Sequence, residues 1–184
     1  MKKIVVIGPE STGKSSLCEA LAHHYHTLWC PEYAREYLLK NGTNYSYENL
    51  LDIAKGQIAL EEDKMKKVEG RTKSSNSNLL SSQLLFIDTD MYVMKVWCEY
   101  VFGECHSFIL EQIVERKYDL YLLCNTDLPW VKDELREYPD EKNRIELFNI
   151  YKDILINQNV PFAIVSGQGN ERFESAVRFV DNFL

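Results

Sequence analysis

Gly8-Pro9-Glu10-Ser11-Thr12-Gly13-Lys14-Ser15 spells G-x-x-x-x-G-K-S. It is preceded by the apolar run 3–7 and followed by a segment in which Leu17, Leu21 and Tyr25 recur every four residues. An apolar run, a glycine-bounded loop and an amphipathic helix in that order form the Walker A pattern in its required context. A loop that closes on a phosphate must turn sharply and aim successive amides inward, which glycine permits, and the following helix adds its positive end. The expected ligand is a nucleotide triphosphate with Mg2+. Gly8, Glu10, Ser11, Thr12, Gly13, Lys14, Ser15 and Ser16 would form the cradle, with Lys14 on the β/γ-phosphates and the Ser15 hydroxyl on the metal.

Working outward, apolar runs at 3–7, 27–30, 84–87, 120–124 and 161–165 read as five strands. They lack polar alternation, as strands of a parallel sheet covered on both faces do. The intervening segments are long enough for crossover helices, so the class is α/β with a five-stranded parallel sheet. Helices are predicted at 14–26, 46–69, 107–117, 141–157 and 171–183. In the second of these the charged part, 61–67, is expected to project into solvent. The stretch of about 70–83 is rich in Ser and Asn and is expected to be a polar excursion.

The 184 residues suit a single domain over 1–184. With 21 basic and 28 acidic side chains the net charge is -7, which disfavours nucleic acid and anionic lipid as partners. No apolar stretch approaches the roughly 20 residues of a membrane span, so a cytoplasmic protein is expected. Cys18, Cys30, Cys98, Cys105 and Cys124 are odd in number and show no zinc spacing. They read as reduced, mostly buried thiols.

The run 84–88 ends in Asp88, the form of a Walker B segment, where a carboxylate meets the metal held by Ser15 or else caps the next helix. Asp90 is a second candidate, for Mg2+ or for substrate hydroxyls. After the second strand come Glu32, Tyr33, Ala34, Arg35, Glu36 and Tyr37. Glu32 is placed to orient an acceptor hydroxyl, and Arg35 to pair with an anion or a carboxylate. The alternative is an exposed first helical turn. Trp97, Tyr100 and Phe102 either stack on a substrate ring or pack in the core. Residues of about 126–140, bounded by Pro129 and Pro139, read as a lid with a helical turn over 130–137. From it Trp130 would meet substrate and Arg136 the transferring phosphoryl group, unless Arg136 is a surface charge; Arg144 would assist from the next helix.

Assembled, these segments resemble the ribosylnicotinamide kinase domain of the NadR family of P-loop kinases. The resemblance rests on Gly8 to Ser15, on Glu32-Tyr-Ala-Arg-Glu-Tyr37, on Phe86-Ile-Asp-Thr-Asp90 and on Trp130-Val-Lys-Asp-Glu-Leu-Arg136. It implies a nucleoside-monophosphate-kinase type of fold and phosphorylation of the 5'-hydroxyl of nicotinamide riboside by Mg-ATP, giving nicotinamide mononucleotide. In such an enzyme Lys14, Glu32, Asp88, Asp90 and Arg136 would be catalytic. Glu32, Tyr33, Arg35, Asp90, Trp97 and Trp130 would bind substrate, and Ser15 and Asp88 the metal. Family members often carry a DNA-binding helix-turn-helix and a nucleotidylyltransferase domain before the kinase. Here the Walker A pattern begins at residue 8 and no His/Thr-x-Gly-His signature occurs, so those two activities are not expected. A kinase for another nucleoside or nucleotide, and an ATP-dependent switch without a small-molecule acceptor, are the rival expectations.

Overall fold

The structure, a computed structural model, describes residues 1–74, 83–135 and 140–184, with 71–74 as backbone alone. The chain runs β1 Lys2–Ile7, α1 Lys14–His24, β2 Leu28–Cys30, α2 Tyr33–Asn41, α3 Tyr47–Ser74 and β3 Leu84–Asp88. It continues with α4 Met91–Phe102, α5 Ser107–Glu115, β4 Leu120–Cys124, α6 Glu141–Ile156, β5 Phe162–Val165 and α7 Gly169–Phe183. The five strands make one sheet in the order β2-β3-β1-β4-β5, every pair parallel. This is the α/β class and the five-stranded parallel sheet that the apolar runs predict.

Alternate residues of each strand face opposite layers. Ile4, Val6, Leu84, Phe86, Leu120 and Leu122 pack with Leu17, Leu21, Ala176 and Val180 of α1 and α7. Val5, Ile7, Leu85, Ile87, Tyr121 and Leu123 pack with Val68, Val93, Val96, Leu147 and Leu155 of α3, α4 and α6. Because both faces are covered, the strands need apolar residues at every position. A third cluster, including Leu38, Leu50, Ile53, Met94 and Ile109, ties α2, α3, α4 and α5 together beyond the sheet.

Parallel pairing brings the carboxyl ends of β1, β2 and β3 to one edge. The connection from β1 runs to β2 on one side, and the connection from β3 crosses β1 to reach β4 on the other, which opens a crevice there. The phosphate loop, the start of α2 and the β3–α4 turn all lie at that edge.

Three expectations are corrected. Glu61, in the stretch of α3 predicted to project into solvent, is only 2% exposed. It takes Lys3 Nζ at 3.2 Å, Arg116 Nη1 at 3.2 Å and the Tyr118 hydroxyl at 2.9 Å, so its charge is buried with partners. Val68, about two helical turns further along the same face, is also buried. Helix α3 continues through Ser74, so helix occupies the first part of the predicted polar excursion; the rest, 75–82, lies outside the described residues. Finally, α4 is a full helix that the sequence did not predict. Met91, Val93, Met94, Val96 and Cys98 are all buried, which erases the polar face that marks a helix in sequence.

Cys18, Cys30, Cys98 and Cys124 are buried, Cys105 is partly so, and all five are free thiols. Among the described residues no helix is long and apolar enough to cross a membrane.

Candidate active site

The loop between β1 and α1 depends on close backbone approach. Gly8 has φ 144°, and a Cβ there would lie 2.9 Å from the Cys124 carbonyl oxygen of β4. Gly13, with φ 76°, caps α1 and passes 3.0 Å, measured from an ideal Cβ, from a methyl of Leu128. Ser11 also takes a positive φ of 56° although it is not glycine, a strained state found where the surroundings impose it. The buried Thr12 hydroxyl donates to the Pro9 carbonyl at 2.7 Å, and Lys14 Nζ donates to the same oxygen at 2.9 Å. Lys14 is thereby folded back over the loop it serves.

Ser15, in the first turn of α1, donates its hydroxyl to Asp88 Oδ2 at 2.5 Å. Asp88 ends β3 with no exposed surface, and burial raises its pKa even against Lys14 and the Ser15 and Thr89 hydrogen bonds. A buried carboxylate short of positive charge, next to a hydroxyl, supplies the hard oxygen donors that a small divalent cation takes. Thr89 follows with φ 75°, an outlier for a β-branched residue. Through that turn the chain reverses, so that the next carboxylate, Asp90, faces its own helix.

Asp90 Oδ1 accepts the amides of Tyr92 at 3.0 Å and Val93 at 3.3 Å, capping α4, while Oδ2 accepts the Tyr121 hydroxyl at 2.8 Å. Burial pushes its pKa up to about 6 against those bonds. The cap that the sequence allowed for Asp88 is therefore made by Asp90, and Asp90 does not line the crevice.

A cavity of about 400 Å³ runs from the phosphate loop, residues 8–16, to the start of α2 and the α4 and α6 walls. Glu32 lines it, and its pKa is pushed up to about 6 by burial first and by the Asp88 charge second, with Lys14 and Arg35 opposing. Trp97 and Tyr100 of α4 and Tyr151 of α6 also line it. The Trp97 indole is fixed by donating to the Tyr45 hydroxyl at 2.9 Å. Phe102 instead meets the rings of Tyr45 and Tyr47. Tyr33, expected to meet substrate, turns away from the cavity. Its ring fills the space where Gly56 of α3 has no side chain.

The segment 126–135 lies against the phosphate loop. Trp130 Nε1 donates to Glu10 Oε1 at 3.1 Å, and the Val131 amide donates to Ser11 Oγ at 3.0 Å. The helical turn predicted over 130–137 is not formed in its described part, 130–135. Backbone donors are taken by side chains instead, Val131 by Ser11 and Leu135 by Asp133 Oδ1 at 3.1 Å. Asp133 also receives both Arg35 guanidinium nitrogens, at 3.3 and 3.1 Å. Of the two partners open to Arg35, anion or carboxylate, the structure shows the carboxylate. Trp130 thus meets the phosphate loop and is not among the cavity's lining residues. Arg136 lies outside the described residues.

Two buried arginines brace this arrangement. Arg144 of α6 donates from Nη2 to the carbonyls of Ser11 at 3.3 Å and Leu128 at 2.9 Å. Arg172 of α7, which the sequence did not single out, donates from Nη2 to the carbonyls of Thr12 at 2.8 Å and Asn125 at 3.1 Å. Its Nη1 takes Asp127 Oδ1 at 2.7 Å and the Gly167 carbonyl at 3.0 Å. The outward carbonyls of Ser11 and Thr12 are thereby held, and both cations add positive potential behind the loop. A basic residue on a helix as amphipathic as α7 reads as a solvated face, so only the fold brings Arg172 to light.

Residues 3–172 match the model of a family described as AAA domain. Two curated relatives, each a trifunctional NAD biosynthesis/regulator protein NadR, come from Escherichia coli (strain K12) and Salmonella typhimurium (strain LT2). Both are 27% identical, over 187 and 189 residues, taking in 100% of this chain and 43% of theirs. The chain therefore spans less than half the length of these relatives. Among solved structures, NadR protein in complex with NR superposes with a TM-score of 0.76 at 21% identity, over 99% of this chain and 49% of that one. Thymidylate kinase from Ehrlichia chaffeensis gives 0.64 at 13% identity, over 100% and 98%. Both structural likenesses are likenesses of fold.

Proposed function

The chain belongs to the AAA domain family, and from that premise we propose that it is an ATP-dependent small-molecule kinase that phosphorylates the 5'-hydroxyl of nicotinamide riboside to give nicotinamide mononucleotide. The observation that carries the reading is the continuity of one cavity. The phosphate loop forms one end of it, and Glu32, Trp97, Tyr100 and Tyr151 form the other. Donor phosphates and an acceptor hydroxyl have room to meet there in line. The names of the NadR relatives and the NR complex of one structural neighbour support the choice of acceptor.

Charge supports the same choice. Glu32 and Glu134 line the acceptor end. The basic residue there among the described lining residues is Arg35, already bidentate to Asp133. A cationic nucleoside suits such a wall better than a nucleotide that brings its own phosphate.

In this reading Ser15 and Asp88 would hold a Mg2+ ion, which would supply charge neutralisation at the phosphates. Lys14 turns from the Pro9 carbonyl to the phosphates, and the loop amides orient them. Glu32 accepts a hydrogen bond from the acceptor hydroxyl and takes its proton. Trp97 and Tyr100 hold the nucleoside ring, and the 126–135 segment excludes water. Asp90 acts by anchoring α4, and a phosphoryl contact for Arg136 stands as a proposal from sequence. The ATP-switch alternative drew on the Ser/Asn-rich stretch of about 70–83 and on the charged part of α3 from Glu61; Glu61 itself is buried, and 75–82 lie outside the described residues.

A panel of nucleosides with Mg-ATP, followed by ADP release and product mass, tests the assignment. Turnover is expected with nicotinamide riboside and a product heavier by one phosphoryl group. No acceptor-stimulated ADP release with any nucleoside would overturn it.

A further inference from the structure

Gln57 of α3 is 1% exposed and touches neither the cavity nor solvent. Its carboxamide sits between two strand ends. The Tyr33 amide donates to Gln57 Oε1 at 2.7 Å. Gln57 Nε2 in turn donates to the carbonyls of Pro31 and Asp88, each at 3.3 Å, and lies 3.5 Å from Cys30 Sγ. A backbone N–H on one side and two carbonyls on the other fix which end of the amide is which. The partners thus flank Glu32 on both sides and include the main chain of Asp88.

We propose that Gln57 is a positioning residue that sets the spacing between the Glu32 and Asp88 carboxylates. The proposal rests on the kinase reading above, in which Glu32 addresses the acceptor and Asp88 the metal. Strand β2 is only three residues long and does not hydrogen-bond beyond β3, so its end is weakly fixed by the sheet itself. Glu32 begins α2 without a side-chain cap, so no local device holds it either. What holds the turn is α3. The Tyr33 ring lies where a Cβ on Gly56 would come within 2.0 Å of it, and the next residue, Gln57, takes the Tyr33 amide. Two adjacent α3 residues therefore dock the first residue of α2, one by leaving space and one by hydrogen bonding. The same Gln57 side chain reaches β3. Buried amides with every partner satisfied are stiff, because any displacement strands a polar group away from water.

The test compares Gln57→Leu, which keeps the volume and removes both donor and acceptor, with Gln57→Glu, which keeps an acceptor for Tyr33 but has nothing to donate to Pro31 and Asp88. Three readouts are taken: acceptor-stimulated turnover, calorimetric binding of a non-hydrolysable ATP analogue, and the titration of the Glu32 carboxyl by carbon-13 NMR, assigned with Glu32→Gln. Both variants are expected to lose about 100-fold in kcat, with analogue affinity unchanged. In folded Gln57→Leu the Glu32 midpoint should fall toward that of an ordinary carboxylate as Glu32 loses part of its burial and moves away from Asp88. Unchanged kcat and an unchanged midpoint in folded Gln57→Leu would overturn the proposal, as would a loss of kcat matched by an equal loss of analogue binding. If the wild-type protein shows no acceptor-stimulated turnover, the kinase reading fails, and the NMR midpoint still decides for or against Gln57.

Discussion

The Ser15 hydroxyl donates to Asp88 at 2.5 Å, joining the first turn of α1 to the carboxyl end of β3. The two residues are 73 positions apart in the chain, and the parallel pairing of β1 with β3, Val6 beside Asp88, brings them together. In the proposed reading these two side chains would hold the Mg2+ ion. Lys14 is close enough to pull on the Asp88 proton equilibrium.

Replacing Lys14 with alanine is expected to cut turnover by about 100-fold or more while leaving the fold intact. Its side-chain bond within the site goes to the Pro9 carbonyl, which Thr12 also satisfies. ADP release, with circular dichroism as the control for folding, checks both halves. Equal activity in the variant would remove Lys14 from the chemistry.

Asp88→Asn separates function from stability. Burial raises the Asp88 pKa, so its folded-state charge costs stability at neutral pH. By sign, a carboxyl with a raised folded pKa stabilises most below its unfolded pKa and loses that contribution as pH rises through the folded one. The asparagine keeps an acceptor for Ser15 and sheds the charge. Urea unfolding of the nucleotide-free protein at pH 7.5 should show a gain of about 1 kcal/mol, together with loss of kinase activity.

Glu32 gives a pH signature. Its folded pKa of about 6 lies above the ordinary 4.5, so below about pH 6 it is protonated and cannot take the acceptor's proton. The kcat/KM for the nucleoside should fall about tenfold per pH unit below that point. Glu32→Gln should abolish this acid limb at a much lower plateau. Its stability relative to wild type should improve as pH rises from 4.5 past 6, the range over which the wild-type carboxyl takes on its charge.

The sheet was legible because its central strands, β3, β4 and β1 from Ile4 on, are buried on both faces and show as unbroken apolar runs, as in Leu84–Ile87. The phosphate loop was legible because its glycines answer a local backbone demand. What escaped depends on partners distant in sequence. Glu61 is buried because Lys3 and Tyr118, 58 and 57 positions away, come to meet it. Tyr33 turns from the cavity because Gly56 leaves room for its ring, and Asp90 becomes a cap because Thr89 reverses the chain. Gln57 and Arg172 belong to no local pattern, and only the fold gathers the carbonyls they hold.

Arg172 supplies a sharper test of the phosphate loop's support. Arg172→Ala removes four hydrogen bonds and leaves Asp127, still bonded to the Gly167 amide at 2.6 Å, without its cation. Asp127 is partly exposed, which moderates the loss to about 2–3 kcal/mol of stability. Denaturant unfolding measures that figure. Because Thr12 loses its anchor, ATP-analogue affinity should fall as well, while Arg172→Lys, reaching fewer carbonyls, should recover part of both.

In the proposed reading the Arg35–Asp133 pair holds the 126–135 segment over the acceptor end. Its two contacts, at 3.3 and 3.1 Å, join α2 to the segment that also leans on Glu10 and Ser11. With the Arg35 side chain 52% exposed, the pair itself is worth no more than about 1 kcal/mol. A double-mutant cycle with Arg35→Ala and Asp133→Ala should return a coupling of about 0.5 kcal/mol, shrinking as salt is added. Neither residue touches the phosphate loop through this pair, so ATP-analogue affinity should hold. The KM for the nucleoside should rise several-fold in either single variant and no further in the double. Additive losses would show that Arg35 and Asp133 act on the acceptor separately, and the strap between α2 and 126–135 would then be incidental to binding.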